Sequence, residues 1–220
     1  MLQDKNYAGI YSDENKHNPT LISPFTPEVL PFYETYETLV DTDSYRLFLN
    51  SAIREFRKSR TYTNYKAFLM SCGLDRCQIF GNILSDDGSN DGMAKIEMHH
   101  HVLTIFDIAL IITEHVLNTY GRVSTFDVIK LLKNEHKNHR VMVVMLSLTA
   151  HQVYHEENFF IHPNQCVGDL NAFLEKYHKG VTYDIALKLL RYIDKAMSLD
   201  KSDDQGMLDL REKIKSWGNL

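Results

Sequence analysis

The sequence has few cysteines and few prolines, and it lacks any long apolar run. Its 220 residues include three cysteines and five prolines. An odd, small number of cysteines is typical of a reduced compartment rather than of a disulfide framework. No stretch approaches the ~18 consecutive apolar residues that a membrane-spanning helix needs, and the first residues lack a basic-then-apolar signal pattern. These absences predict a cytoplasmic protein with no membrane partner.

The remaining composition is that of a globular protein, with 44% apolar and 24% charged residues. This balance excludes wholesale disorder, and the length is enough to bury a core. The net charge of -5 argues against a broad positive surface for nucleic acid. Positive charge is instead concentrated locally, in clusters that are either phosphate-binding patches or solvated helix faces. The residues that we expect to contact substrate are Arg54, Arg57, Lys58, Arg60, Lys133, Lys137 and Arg140.

The proline positions and the hydrophobic periodicity predict an α+β protein that is predominantly α-helical. Four of the five prolines lie between residues 19 and 31, so we expect residues 1–42 to form an extended acidic arm. Helices and a small sheet should follow over 43–168, and a helical segment over 169–220. Predicted helices lie at about 43–58, 62–71, 104–118, 124–137, 149–158, 168–178, 183–198 and 204–216. Predicted strands lie at 95–99 and 141–146, and an acidic glycine-containing loop lies at 85–92.

Histidine is the unusual feature, because eight of the eleven histidines fall between residues 99 and 155. Three of them, His99 to His101, end a predicted strand. His151 and His155 are four apart on a helix that Thr149 is predicted to cap, so both imidazoles can reach one point. Together with one histidine of the triplet they would form a divalent metal site. The candidate ions are zinc, nickel, manganese and magnesium, and three imidazole ligands favour a transition metal over magnesium. Purely structural roles for these histidines remain the alternative.

The order strand, double histidine, strand and helix with His-x-x-x-His resembles the ββα-metal core of HNH (His-Me finger) endonucleases. The phrases Ile96-Glu97-Met98-His99-His100 and Leu148-Thr149-Ala150-His151-Gln152-Val153-Tyr154-His155 are similar to colicin-type nucleases and to small HNH-like proteins of large bacteriophages. The resemblance covers about residues 94–168. It implies that His99, His151 and His155 hold the metal and that His100 is the general base. The triplet leaves the register open by one residue, because His100 and His101 could equally be the ligand and the base.

This resemblance implies a metal-dependent endonuclease that hydrolyses phosphodiester bonds in DNA, is encoded by a phage and acts in the host cytoplasm. The alternative is a catalytically inactive, HNH-like viral protein that binds nucleic acid or serves in assembly. The net charge of -5 favours this alternative. So does the lack of the asparagine that orients the base in the family. Two predicted helices between the histidine pairs, where the family has a short loop, are a further departure.

Other chemistries lack their motifs in this sequence. There is no phosphate-binding loop, no dinucleotide fingerprint and no nucleophile elbow. A zinc peptidase needs glutamate directly after the first histidine of the helix, whereas Gln152 occupies that position here. Cys72, Cys77 and Cys166 are expected to be free thiols, and a zinc site built from the three thiolates is the less favoured alternative.

Overall fold

The computed structural model describes residues 33–81, 95–156, 159–200 and 204–219. Within these ranges most residues are helical and two small two-stranded sheets are present, which confirms the predicted α+β, predominantly helical class. The described residues from Glu34 onward form one compact unit. The predicted arm lies outside the described residues except for 33–42, and the predicted acidic loop at 85–92 lies outside them entirely. The division into 43–168 and 169–220 stays a prediction.

Eight α-helices lie in the described part of the chain, close to the eight predicted positions. The elements in order are β1 (Tyr33–Glu34), α1 (Thr42–Arg57), α2 (Arg60–Ser71), β2 (Ile96–His100), α3 (Ile105–Tyr120), β3 (Val123–Ser124), α4 (Thr125–Lys137), β4 (Val143–Ser147), α5 (Leu148–His155), α6 (Leu170–Lys176), α7 (Tyr183–Asp200) and α8 (Gln205–Trp217). Short 3-10 turns cover Pro163–Gln165 and His178–Gly180. No helix in these ranges is both long and apolar enough to span a bilayer.

Side-chain caps explain where the helices around the site begin. Thr104 and Ser124 each accept a bond from an aspartate N–H three residues later and form the predicted capping boxes with Asp107 and Asp127. The predicted cap of α5 was wrong. Ser147, rather than Thr149, accepts from the N–H of Ala150, because β4 passes directly into the helix.

The two strands that carry the histidine triplet form an antiparallel pair. Residue Ile96 lies opposite Ser147, and His100 lies opposite Val143. Alternation along β2 buries Ile96 and His100 on the core face and leaves the side chain of His99 half-buried on the other face. Every residue of β4 is buried. Because α5 follows β4 without a loop, its first turns lie beside β2, and the order strand–strand–helix of the predicted core is present.

Helices α3 and α4 occupy the connection between β2 and β4, as the sequence predicted. Buried isoleucines of α3, including Ile108, Ile111 and Ile112, place this helix in the core. The 3-10 turn at Gly180 lies so close to α3 that an added Cβ would lie 1.9 Å from the carbonyl oxygen of Ile111. The turn that precedes α7 therefore packs tightly on α3.

Candidate metal centre

Three histidines from two elements meet at one point beside the sheet. Nδ1 of His99 on β2 lies 3.0 Å from Nε2 of His151, and Nε2 of His155 lies 2.9 Å from the same atom. One ring nitrogen from each of the three lies within 4.8 Å of the other two. His99 and His151 are half-buried, whereas His155 is exposed. These three residues, which we call the histidine triad, are the three predicted metal ligands.

The carboxylate of Glu97 orients the central imidazole of the triad. Nδ1–H of His151 donates to Oε2 of Glu97 at 2.9 Å, and Oε1 of the same carboxylate pairs with Nζ of Lys95 at 2.7 Å. A tautomer of His151 with its proton on Nδ1 carries its lone pair on Nε2. The nitrogens of both neighbouring histidines face that lone pair. A carboxylate behind a ligating imidazole is the arrangement that fixes tautomer and ring orientation in metal sites.

The triad fits a transition metal in its geometry, and His99 also fits in its protonation. A tetrahedral site with bonds of ~2.0–2.1 Å separates its ligand nitrogens by about 3.3 Å, which is within the spread of the triad. Desolvation, and then the charges of neighbouring histidines and Lys188, lower the pKa of His99 to about 3. This imidazole is therefore neutral at physiological pH, as a ligand must be. The three residues present fit zinc or nickel better than magnesium.

His100 lies away from the triad, on the buried face of β2. Its Nε2 lies 2.9 Å from Nε2 of His136, whose Nδ1–H donates to the carbonyl of Leu132 at 2.7 Å. His100 is therefore the donor in this pair. Burial, and then the neighbouring His136, lower the pKa of His100 well below its ordinary value. The ring stacks near Tyr62 with 6.4 Å between ring centroids, so its surroundings are those of a core side chain.

His101 lies on the same side as the triad. Its Nε2–H donates to the carbonyl oxygen of Ile161 at 3.1 Å. Nδ1 therefore carries the lone pair and lies 3.1 Å from the hydroxyl of Tyr154, which donates to it. Burial lowers the pKa of His101 to about 4. This neutral imidazole is held by a backbone carbonyl, and its unprotonated Nδ1, which accepts from Tyr154, is a position that could take up a proton.

A pocket of about 560 Å³ opens beside the triad. Helix α7 contributes two lysines to its wall, and α5 and the segment after it contribute aromatic side chains. Strand β2 and the residues that follow it contribute the histidine triplet, Val102 and Thr104. The residues that line it include His99, His100, His101, Tyr154, His155, Phe159, Phe160, Lys188 and Lys195. The pocket thus joins a cluster of imidazoles to positive charge and apolar surface.

The basic residues predicted to contact substrate lie elsewhere, and none of the seven lines this pocket in the described part of the chain. Lys58 pairs with Glu55 at 3.2 Å on the surface of α1. Arg140 donates to Glu135, a fully buried carboxylate, at 3.1 Å. A role of these residues in binding stays a prediction.

The cysteines do not form a cluster with one another or with histidine in the ranges described, where the triad is the only group of three candidate ligands. Cys72 is exposed, Cys77 is buried and Cys166 is half-buried, and all three are free thiols. Burial raises the pKa of Cys166 to about 12, which keeps it a protonated thiol.

Several residues of the site were not singled out from the sequence. Glu97 precedes His99 by two positions, and the period of two along a strand would have placed both on one face. Lys188 and Lys195 are seven residues apart, so they share one face of α7. That spacing is a weak signal, since it does not say which face meets the pocket.

The comparisons with known proteins identify a family and no closer relative. Among curated proteins no sequence matches the chain, and among solved structures none matches it. The family model described as bacteriophage G278-like virion protein matches residues 12–216, nearly the whole chain. The predicted phage origin is therefore confirmed, and the chain belongs to the bacteriophage G278-like virion protein family.

Proposed function

We propose that this virion protein binds a divalent transition metal at the histidine triad and uses the site to hydrolyse phosphodiester bonds in nucleic acid, with DNA favoured. The observation that carries the proposal is the convergence of His99, His151 and His155, with Glu97 behind His151. Three imidazoles oriented in this way on a strand–strand–helix unit leave a further coordination position open, as hydrolytic sites require.

The residues around the triad have separate tasks in this proposal. The bound ion would supply positive charge against the charge that develops on the phosphate and on the leaving oxygen. His101 would accept a proton from water at Nδ1, while the carbonyl of Ile161 holds its ring by Nε2–H. His101 therefore replaces His100 as our preferred base. Tyr154 currently donates to Nδ1 of His101, so its hydroxyl would give way to the water.

A second proposal is that the metal has a structural role in a non-enzymatic particle protein. Family membership favours it, since the family is described by its place in the virion. The triad links β2 to α5, so an ion there would stabilise that junction without any reaction. Under this proposal the protein acts in the phage particle, whereas the nuclease would act either there or in the host cytoplasm.

Cleavage of labelled DNA by the full chain, purified without a histidine tag, distinguishes the two proposals. Protein treated with a chelator is supplied in turn with zinc, nickel, manganese and magnesium. The nuclease proposal expects cleavage with at least one ion and its loss in His99→Ala and His155→Ala. His178→Ala, at a half-buried histidine outside the triad, should cleave like the parent. Metal binding without cleavage under any of these ions would leave the structural proposal.

A further inference from the structure

The pocket beside the triad has a charge distribution that differs from that of the whole protein. The chain carries a net charge of -5, yet the pocket wall on α7 presents two lysines and no acid. Lys188 and Lys195 are separated by two helical turns and therefore face the same side. Lys188 lines the pocket together with His99 and His101, so its ammonium group lies on the same wall as these imidazoles.

The two lysines differ in how their charges are balanced. Nζ of Lys188 lies 2.6 Å from Oδ2 of Asp107, the capping-box residue of α3. Across the ranges that the structure describes, no carboxylate lies within ion-pair distance of Lys195. Its Nζ instead lies over the ring of Phe160, 5.4 Å from the centroid. Lys195 therefore supplies the uncompensated positive charge of the pocket, which would attract an anion.

Aromatic rings form the apolar part of the same pocket. Phe159 packs against Tyr154 with 5.9 Å between centroids, and Phe160 packs against Tyr192 with 5.3 Å between centroids. Both phenylalanines are only half-buried, so part of each ring faces the pocket. Cationic side chains next to accessible aromatic rings are the combination that binds phosphates and unpaired bases of single strands.

We infer that this pocket binds one unpaired nucleotide of a single-stranded nucleic acid, with the phosphate between the histidine triad and Lys195 and the base against Phe159. The volume of about 560 Å³ lies within the range of small-ligand pockets. Bases of a duplex are stacked on one another and cannot enter such a concavity unless they are unpaired. The inference names the substrate class of the proposed nuclease and so rests on that proposed function, but its test measures binding alone.

The test is the binding of a fluorescent oligothymidylate to the full chain in the presence of a chelator. A DNA hairpin duplex of similar length is the comparison ligand. We expect the single strand to bind at least about tenfold more tightly than the duplex, because only unpaired bases can stack on protein rings. Lys195→Gln should weaken binding of the single strand roughly five- to tenfold and reduce its salt dependence, as the loss of one phosphate contact does.

Arg191→Gln is the matched control, since Arg191 is an exposed cation of α7 between the two lysines and does not line the pocket. It should leave the affinity within about twofold of the parent. Phe159→Ala should weaken binding of the single strand about tenfold and leave duplex binding unchanged.

Two results would overturn the inference. One is equal or tighter binding of the duplex, and the other is an equal effect of Lys195→Gln and Arg191→Gln. The binding and cleavage results remain separable. Single-strand binding that needs Lys195, together with no cleavage under any metal, would retain the pocket and reject the nuclease. Cleavage that requires the triad, together with single-strand binding that Lys195→Gln leaves unchanged, would retain the nuclease and reject the nucleotide pocket.

Discussion

His100 and His101 are neighbours in sequence, yet their rings occupy different surroundings. His100 donates to His136 in the core, whereas His101 donates to the carbonyl of Ile161 and accepts from the hydroxyl of Tyr154. The resemblance to HNH nucleases implied His100 as the base, and the same triplet allowed His101. The geometry favours His101, because its unprotonated Nδ1 lies on the side of the triad, whereas His100 donates into the core.

Glutamine substitutions separate these two histidines experimentally. His101→Gln keeps a donor for the carbonyl of Ile161 and removes the basic nitrogen. We expect it to retain the metal and to lose ~10²–10⁴-fold of the cleavage rate, the usual contribution of a general base. His100→Gln should lower stability and leave the rate per folded molecule unchanged. Cleavage rate and metal content, measured on the same preparation of each variant, test this expectation. Loss of the rate in His100→Gln with an unchanged rate in His101→Gln would identify His100 as the base.

The buried pair of His100 and His136 should make the protein less stable in acid. Burial lowers the pKa of His136 from its ordinary value of 6.5 to about 4. Between these pH values the unfolded chain binds more protons than the folded chain, so the free energy of unfolding falls as the pH decreases from about 6.5 towards 4. For His136 alone the full loss is on the order of 3 kcal/mol.

Urea unfolding at pH 7.5 and pH 5 measures this effect. His136→Gln removes the titrating ring, so the difference in unfolding free energy between the two pH values should shrink. His178→Gln, at a half-buried histidine in the 3-10 turn, should keep the difference of the parent. If the unfolding free energy of His136→Gln depended on pH as strongly as that of the parent, burial of His136 would not be the cause of the acid sensitivity.

At the scale of elements, the contact between α3 and the 3-10 turn at Gly180 allows a steric prediction. An added Cβ at Gly180 would lie 1.9 Å from the carbonyl oxygen of Ile111 and 2.7 Å from the backbone N of His115. Backbone atoms cannot move aside alone, so Gly180→Ala should destabilise the protein by about 3 kcal/mol or more. Gly73→Ala meets open space at a φ of +91° and should cost only about 1 kcal/mol. Chemical denaturation measures both variants. Equal losses of unfolding free energy in Gly180→Ala and Gly73→Ala would contradict the close packing of Gly180 on α3.

The elements whose signals are local in sequence could be predicted well. The capping boxes at Thr104 and Ser124 mark the starts of α3 and α4, because the cap and its partner are three residues apart. Where a strand and a helix share a boundary, local rules were less accurate. The strand predicted at 141–146 is Val143–Ser147, and its last residue caps the helix that Thr149 was expected to begin.

The candidate site depends on contacts that no local pattern contains. The four-residue spacing of His151 and His155 places them on one helix face, so their pairing was predictable. The seven-residue spacing of Lys188 and Lys195 places them on one face of α7, but it does not predict which other element that face contacts. Their place in the pocket depends on how α7 packs, nearly a hundred residues after β2. The orientations of His100 and His101 likewise depend on the distant residues His136 and Ile161.

At the scale of the whole molecule, an ion at the triad should stabilise the fold, because it would link β2 to α5. A ligand at a hundred times its dissociation constant adds about 2.7 kcal/mol, which corresponds to a rise in Tm of roughly 5–10 °C for a chain of this size. Thermal unfolding with and without zinc measures the shift. His151→Ala should show no shift, and a shift equal to that of the parent would mean that zinc binds elsewhere.

The central claim is that His99, His151 and His155 hold one metal ion, and elemental analysis of untagged, full-length protein tests it most directly. We expect about one transition-metal ion per chain after equilibration with zinc and removal of excess. His151→Ala should fall to near zero, because it removes the ligand that both other histidines approach. His178→Ala should retain the full amount. A folded parent protein without bound metal, or a His151→Ala variant with undiminished metal, would contradict the account.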